Sequence, residues 1–154
     1  MGSSEEILAA YDDILSQIPY LENPDSLYLE TQMMRAIDLC YHAKKYNDAL
    51  LVSKEVHDVA IDKAPDNHLI ISNSLLVIVE SLIKLENHSE ALLYCEENIN
   101  LLKKHKLDED GHHLLQALQQ YGDINLYLKN YDSAEQAYLT CLNNHEEYNL
   151  VVLV

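Results

Sequence analysis

The chain carries eight histidines, three cysteines and 26 acidic residues, so the first test is whether any are spaced to hold a metal or act on a substrate. Zinc needs three or four nitrogen or sulfur ligands converging on one point, and such sites usually bring their ligands in short, regular spacings. Neither His-Glu-x-x-His nor Cys-x-x-Cys occurs. The densest group is His112 and His113 beside Asp108 and Asp110. Neighbouring residues on a helix point in different directions, so this group reads as a polar helix start rather than a shared ion site. Cys40, Cys95 and Cys141 fall within apolar helical stretches, where cysteine acts as a small hydrophobe rather than a nucleophile. With only three widely separated glycines, no phosphate-cradling loop can form. The reading is a protein without catalytic residues, metal or cofactor. Lys103, Lys104, His105 and Lys106 form the one basic cluster, at an expected helix C-terminus where cations complement the helix dipole.

A length of 154 residues suits a single domain with a real core, and 48% hydrophobic residues are too many for a disordered chain. Three glycines and three prolines leave little punctuation, which favours long helices joined by short turns. A formal net charge of −16 repels nucleic acid and anionic lipid, so neither is an expected partner. An odd number of dispersed cysteines fits reduced thiols. No apolar run reaches the length of a membrane span, and Met1 to Glu6 lacks the features of a signal peptide. A cytoplasmic location is expected, with the nucleus as the alternative. Asn87-His88-Ser89 matches a glycosylation sequon, read as a chance match. The 11 tyrosines, with no Phe and no Trp, must supply all aromatic packing, and their hydroxyls should reach water or a partner group.

Three segments repeat one pattern: Lys44 to Leu50, Glu86 to Leu92 and Lys129 to Glu135. Their alanines, Ala49, Ala91 and Ala134, stand 42 and 43 residues apart, and a regular period of this kind marks a repeat array. In each, a polar turn precedes a small residue that lets two helices approach closely. Apolar periodicity predicts helices over about 5–18, 26–44, 48–61, 68–85, 89–104, 112–128 and 131–144. The first opens with a capping-box pattern, Ser3 or Ser4 followed by Glu6. The fourth is apolar nearly all round, as a central, buried helix would be. The organisation is one all-α domain spanning 1–154: an N-terminal helix, then repeats of about 26–66, 67–107 and 108–147. After Asn144 the apolar run Tyr148 to Val154 either folds back on the last helix pair, continues into a fourth repeat, or docks on a partner or a second copy; a fragment or an interaction end is the preferred reading.

Leu118, Tyr121, Gly122, Tyr131, Ala134, Tyr138 and Cys141 fall where tetratricopeptide repeats place their bulky, small and aromatic packing residues, and the third hairpin resembles that family. In the first two repeats Ile37 and Val79 replace the glycine while Ala49 and Ala91 are kept. The family's usual period is about 34 residues; the longer period here is similar to long-helix variants such as kinesin light chain, Pins-type spindle adaptors and bacterial peptide-sensing regulators. The resemblance implies an α-α superhelix whose first helices line a concave groove. The residues it carries to that groove are Thr31, Met34, Arg35, Asp38, Tyr41 and His42 from the first repeat, Asn73, Leu76, Val77, Glu80, Ile83 and Lys84 from the second, and Gln116, Gln119, Gln120, Asp123, Leu126 and Tyr127 from the third. The Lys/Asn/Arg clamp by which chaperone-binding members hold a C-terminal carboxylate is absent. In its place Asp38, Glu80 and Asp123 put one carboxylate at the same position of each repeat, which suits a basic peptide or protein segment. The plainer expectation is that Arg35, three residues from Asp38, already neutralises it. The implied function is a non-catalytic interaction scaffold. Its rivals are a structural subunit of a cell-cycle or cargo-adaptor assembly, and a peptide-sensing regulator.

Overall fold

In a computed structural model the protein is all-α, a superhelical stack of helix pairs, with no strand among the described residues. These are residues 3–18, 24–106 and 111–153, the side chains of 24 and 144–153 lying outside the description. The helices are α1 (Ser4–Gln17), α2 (Pro24–Tyr41), α3 (Tyr46–Lys63), α4 (His68–Lys84), α5 (His88–His105), α6 (His112–Tyr127) and α7 (Tyr131–Leu153). The pairs α2–α3, α4–α5 and α6–α7 are antiparallel hairpins, α1 packs on α2, and α4 sits centrally against α2, α3, α5 and α6.

Local chemistry sets the ends. Ser3 caps α1: its Oγ accepts from the Glu6 amide at 3.3 Å while the Glu6 carboxylate accepts from the Ser3 amide at 3.1 Å, the reciprocal capping box. Each hairpin turn contains one residue in the left-handed region, Lys44 (φ 54), Glu86 (φ 62) and Lys129 (φ 66), the conformation that ends a helix by turning its last carbonyls toward available amides. Helix starts differ from expectation in two respects. The α2 helix starts at Pro24, because proline at a first helical position needs no amide partner. The second helices of the first two hairpins open at Tyr46 and His88, ahead of the expected 48 and 89, whereas α7 opens at Tyr131 as expected. A third difference is larger: α7 runs on as one helix to Leu153, past the expected end near Asn144, since residues 145–153 contain neither glycine nor proline to stop it. Its backbone therefore does not turn back on the last pair over this length. The linker expected over 105–111 lies partly outside the described residues.

Burial repeats with the sequence period. Met33, Leu75 and Leu118 are buried in register, as are Leu39, Ser81 and Ile124, and the alanines Ala49, Ala91 and Ala134. On α4 the residues from Leu75 to Val79 are all buried, each large aliphatic side chain contributing about 1.5–3 kcal/mol on leaving water. Gly122 has a specific reason to lack a side chain: a Cβ there would stand 2.6 Å from the Tyr138 ring.

Candidate functional site

The first helices of the hairpins, α2, α4 and α6, carry the groove residues that the resemblance implied. Thr31, Leu76, Val77 and Gln120 belong to the core. Arg35, Asp38, Asn73, Glu80, Ile83 and Gln116 are half-buried, while Met34, Tyr41, His42, Lys84, Gln119, Asp123, Leu126 and Tyr127 are exposed. At the centre, three helices converge. The Tyr41 hydroxyl of α2 reaches the Gln116 side chain of α6, with Glu80 of α4 close enough to oppose the phenolate charge; burial is the larger reason its pKa is raised. From α6 the Gln120 amide donates to Glu80 at 3.4 Å and to the Leu76 carbonyl at 3.1 Å, while His113 meets Asn73 at 2.9 Å.

The carboxylate ladder is held by a different element at each rung. Asp38 accepts from the Tyr11 hydroxyl of α1 and meets His42 at 2.8 Å. Asp123 accepts from Tyr138 of α7 at 2.6 Å. Partial burial, followed by the adjacent carboxylate, pushes Tyr11 and Tyr138 each up to about 12. Arg35 does not neutralise Asp38: it pairs with Asp12 of α1 at 3.5 Å, because α1 lies along α2 and brings its own acid to the guanidinium. Glu80 and Asp123 form no ion pair with lysine or arginine among the described residues. The two tyrosine partners lie 27 and 15 residues from their acids, too far for helical spacing to reveal. The only hint was compositional, a chain whose tyrosines had to find acceptors.

A second concavity, about 810 Å³, opens at the far end of the stack, between α6 and α7. It is lined by His112, Leu115, Gln116 and Gln119 from α6 and by Tyr138, Cys141 and Leu142 from α7. Nearby, Tyr131 is 61% exposed, whereas its counterpart one repeat earlier, His88, is buried with Tyr127 stacked on it, ring centroids 3.5 Å apart.

The cysteines lack nucleophilic activation. Burial pushes Cys40 up to about 11 and Cys95 up to about 12, and raises the half-buried Cys141; the thiolate, which does chemistry, is disfavoured at all three. Among the described residues no group of three His, Cys, Asp or Glu side chains could hold a metal ion, and no helix is long and apolar enough to cross a membrane. No protein-family profile matches the chain, and no curated protein matches it.

Proposed function

We propose that this chain is a non-catalytic interaction scaffold of tetratricopeptide type that takes a basic peptide or protein segment along α2, α4 and α6. The supporting observation is Glu80, a half-buried carboxylate at the meeting point of all three hairpins, whose partner in the fold is the neutral Gln120 amide. A carboxylate held by a neutral donor keeps its charge available, and a lysine or arginine from outside makes the stronger, charge-assisted hydrogen bond. Asp38 and Asp123 extend this charge to either side. Met34, Tyr41, Leu126 and Tyr127, each more than two-fifths exposed on the same helices, offer apolar and aromatic surface to the aliphatic stems of such residues.

Fluorescence polarisation with a library of lysine- and arginine-containing peptides tests this. The best binder should weaken about tenfold when Asp38→Asn, Glu80→Gln and Asp123→Asn are combined, and should weaken with added salt. Affinity unchanged by the triple substitution overturns the reading. The rival reading, a subunit joined to an assembly through its ends, is favoured by the open cavity between α6 and α7.

A further inference from the structure

The second helices of neighbouring hairpins, α3 beside α5 and α5 beside α7, meet in two different ways. At the first junction side chains bridge the space. The Tyr94 ring of α5 lies under the Lys54 ammonium of α3, 5.6 Å from its centroid, and takes the His57 ring edge-on at 6.4 Å. Lys54 also pairs with Glu90 at 3.0 Å, and His57 with Glu97 at 3.2 Å. One period further on, the positions of Lys54, His57, Glu90, Tyr94 and Glu97 are held by Glu96, Ile99, Ser133, Ala137 and Thr140. All five line a cleft of about 370 Å³ between α5 and α7. The aromatic ring has become a methyl group, both acids have become hydroxyls, and the lysine has become a carboxylate. Every side chain that fills the first junction belongs to α3 or α5, so the second is open through its own residues, whatever stands beyond α7.

The lining of the cleft identifies the occupant. Its floor is apolar, made by the buried Ile99, Leu118 and Ala137 with the half-buried Tyr121 of α6. A ring laid over Ala137 and against Tyr121 supplies the aromatic contact that Tyr94 supplies one period earlier. Glu96 forms no ion pair with lysine or arginine among the described residues, and a cation arriving with the ring meets it in a charge-assisted hydrogen bond. Lys103, which also lines the cleft, stands seven residues along α5, about 10 Å away, and confines that cation to the Glu96 end. Glu96, Lys103, Gln136 and Thr140 are exposed, whereas a small-molecule site encloses most of its ligand. An open cleft of this kind suits one side chain held in place by the rest of a protein. We propose that the α5–α7 junction receives a tyrosine side chain of a partner protein, with an adjacent lysine or arginine of that partner paired to Glu96. This site lies on the second helices and stands independently of the groove along α2, α4 and α6.

The probe is the dipeptide acetyl-Lys-Tyr-amide, titrated into isotope-labelled protein and followed by amide NMR shifts. Shifts should saturate at Ile99, Ala137 and Thr140. Acetyl-Lys-Ala-amide should give no saturable shift there, and acetyl-Glu-Tyr-amide should bind about threefold more weakly. Glu96→Gln, at an exposed position, should erase the difference between the Lys-Tyr and Glu-Tyr peptides. Ala137→Tyr with Glu96→Lys rebuilds the first junction at the second and should abolish binding; the titration of the unsubstituted protein and the Glu96→Gln result stand whether or not that variant folds. Absence of saturable shifts at the cleft overturns the inference, as does equal binding of the Lys-Ala and Lys-Tyr peptides. Saturable shifts confined to the surroundings of Glu80 would overturn it while supporting the groove. Tyramine binding as tightly as the Lys-Tyr peptide would overturn the partner-protein assignment and give the cleft to a small aromatic amine.

Discussion

The second and third hairpins occupy equivalent places in the repeat, yet they solve the packing between their helices in opposite ways. In the second, Val79 on the first helix stands in register with Gly122 in the third, and Cys95 on the second helix stands in register with Tyr138. Bulk has moved from one helix to the other. The Tyr138 ring fills the space over Gly122 and sends its hydroxyl to Asp123, whereas Cys95 turns its thiol to the Ala117 carbonyl of the next hairpin. One period apart, the same position thus serves an interface between hairpins in one case and contact within a hairpin in the other. A repeat conserves volume at a seam more strictly than it conserves which side supplies it.

The strongest test of this contrast is truncation at the shared core position. Leu75 is fully buried and Leu118 is 7% exposed, so Leu75→Ala should cost about 4 kcal/mol and Leu118→Ala about 2.5 kcal/mol in urea unfolding. Equal losses would mean that the third hairpin is held as tightly as the central one. Next in size, Gly122→Val should destabilise by about 2 kcal/mol, because the new side chain meets the Tyr138 ring. Adding Tyr138→Cys recreates the composition of the second hairpin and should recover part of that loss, with a coupling energy of about 1 kcal/mol. Additive losses would sink the idea that the two residues exchange volume.

The turns should respond alike in both hairpins. Glu86 and Lys129 both adopt positive φ without being glycine, so Glu86→Gly and Lys129→Gly should each raise stability by about 0.5–1 kcal/mol in the same unfolding assay. A gain in one turn alone would show that the other carries an unseen packing constraint.

The smallest effect concerns pH and the ties of the second hairpin. Hydrogen bonding to Glu97, 3.2 Å away, raises the pKa of His57 despite its burial. Its contribution is present below the unfolded value near 6.5 and is lost as pH rises through the raised one. His105 behaves oppositely. Desolvation, then the stacked His68 and the adjacent Lys104, lower its pKa, so stability is lost as pH falls from near 6.5 through the lowered value. His57→Gln should flatten the alkaline side of a melting-temperature profile between pH 5 and 8, and His105→Gln the acid side; profiles unchanged by both would remove these contacts as determinants.

Much of the fold was legible because it is written in local rules. The capping box at Ser3 and Glu6, the apolar run of α4, and the three turns followed by alanine each depend on residues within a few positions of one another, and each appears where expected. The end of α7 is not legible in the sequence, because no glycine or proline between 145 and 153 marks a stop. At the candidate site, the register that placed Asp38, Glu80 and Asp123 at equivalent positions could be counted along the chain. Their partners could not. Arg35 met Asp12 rather than Asp38 because a helix outside the repeat lies against α2, and no spacing within the repeat announces which acid that helix will bring.

By itself the sequence determined the helices, their pairing into hairpins, the period, and which small residues face a seam, since all of these follow from i, i+3 and i+4 spacing and from turn chemistry. Tertiary structure alone decided that Tyr41, Glu80, Gln116 and Gln120 meet across three helices, that tyrosines from α1 and α7 hold two of the three acids, and that the junction filled between the first two hairpins lies open between the second and third. Such features depend on how whole helices are stacked, and the position of a stacked helix is set by the sum of many small contacts rather than by any one short stretch of chain.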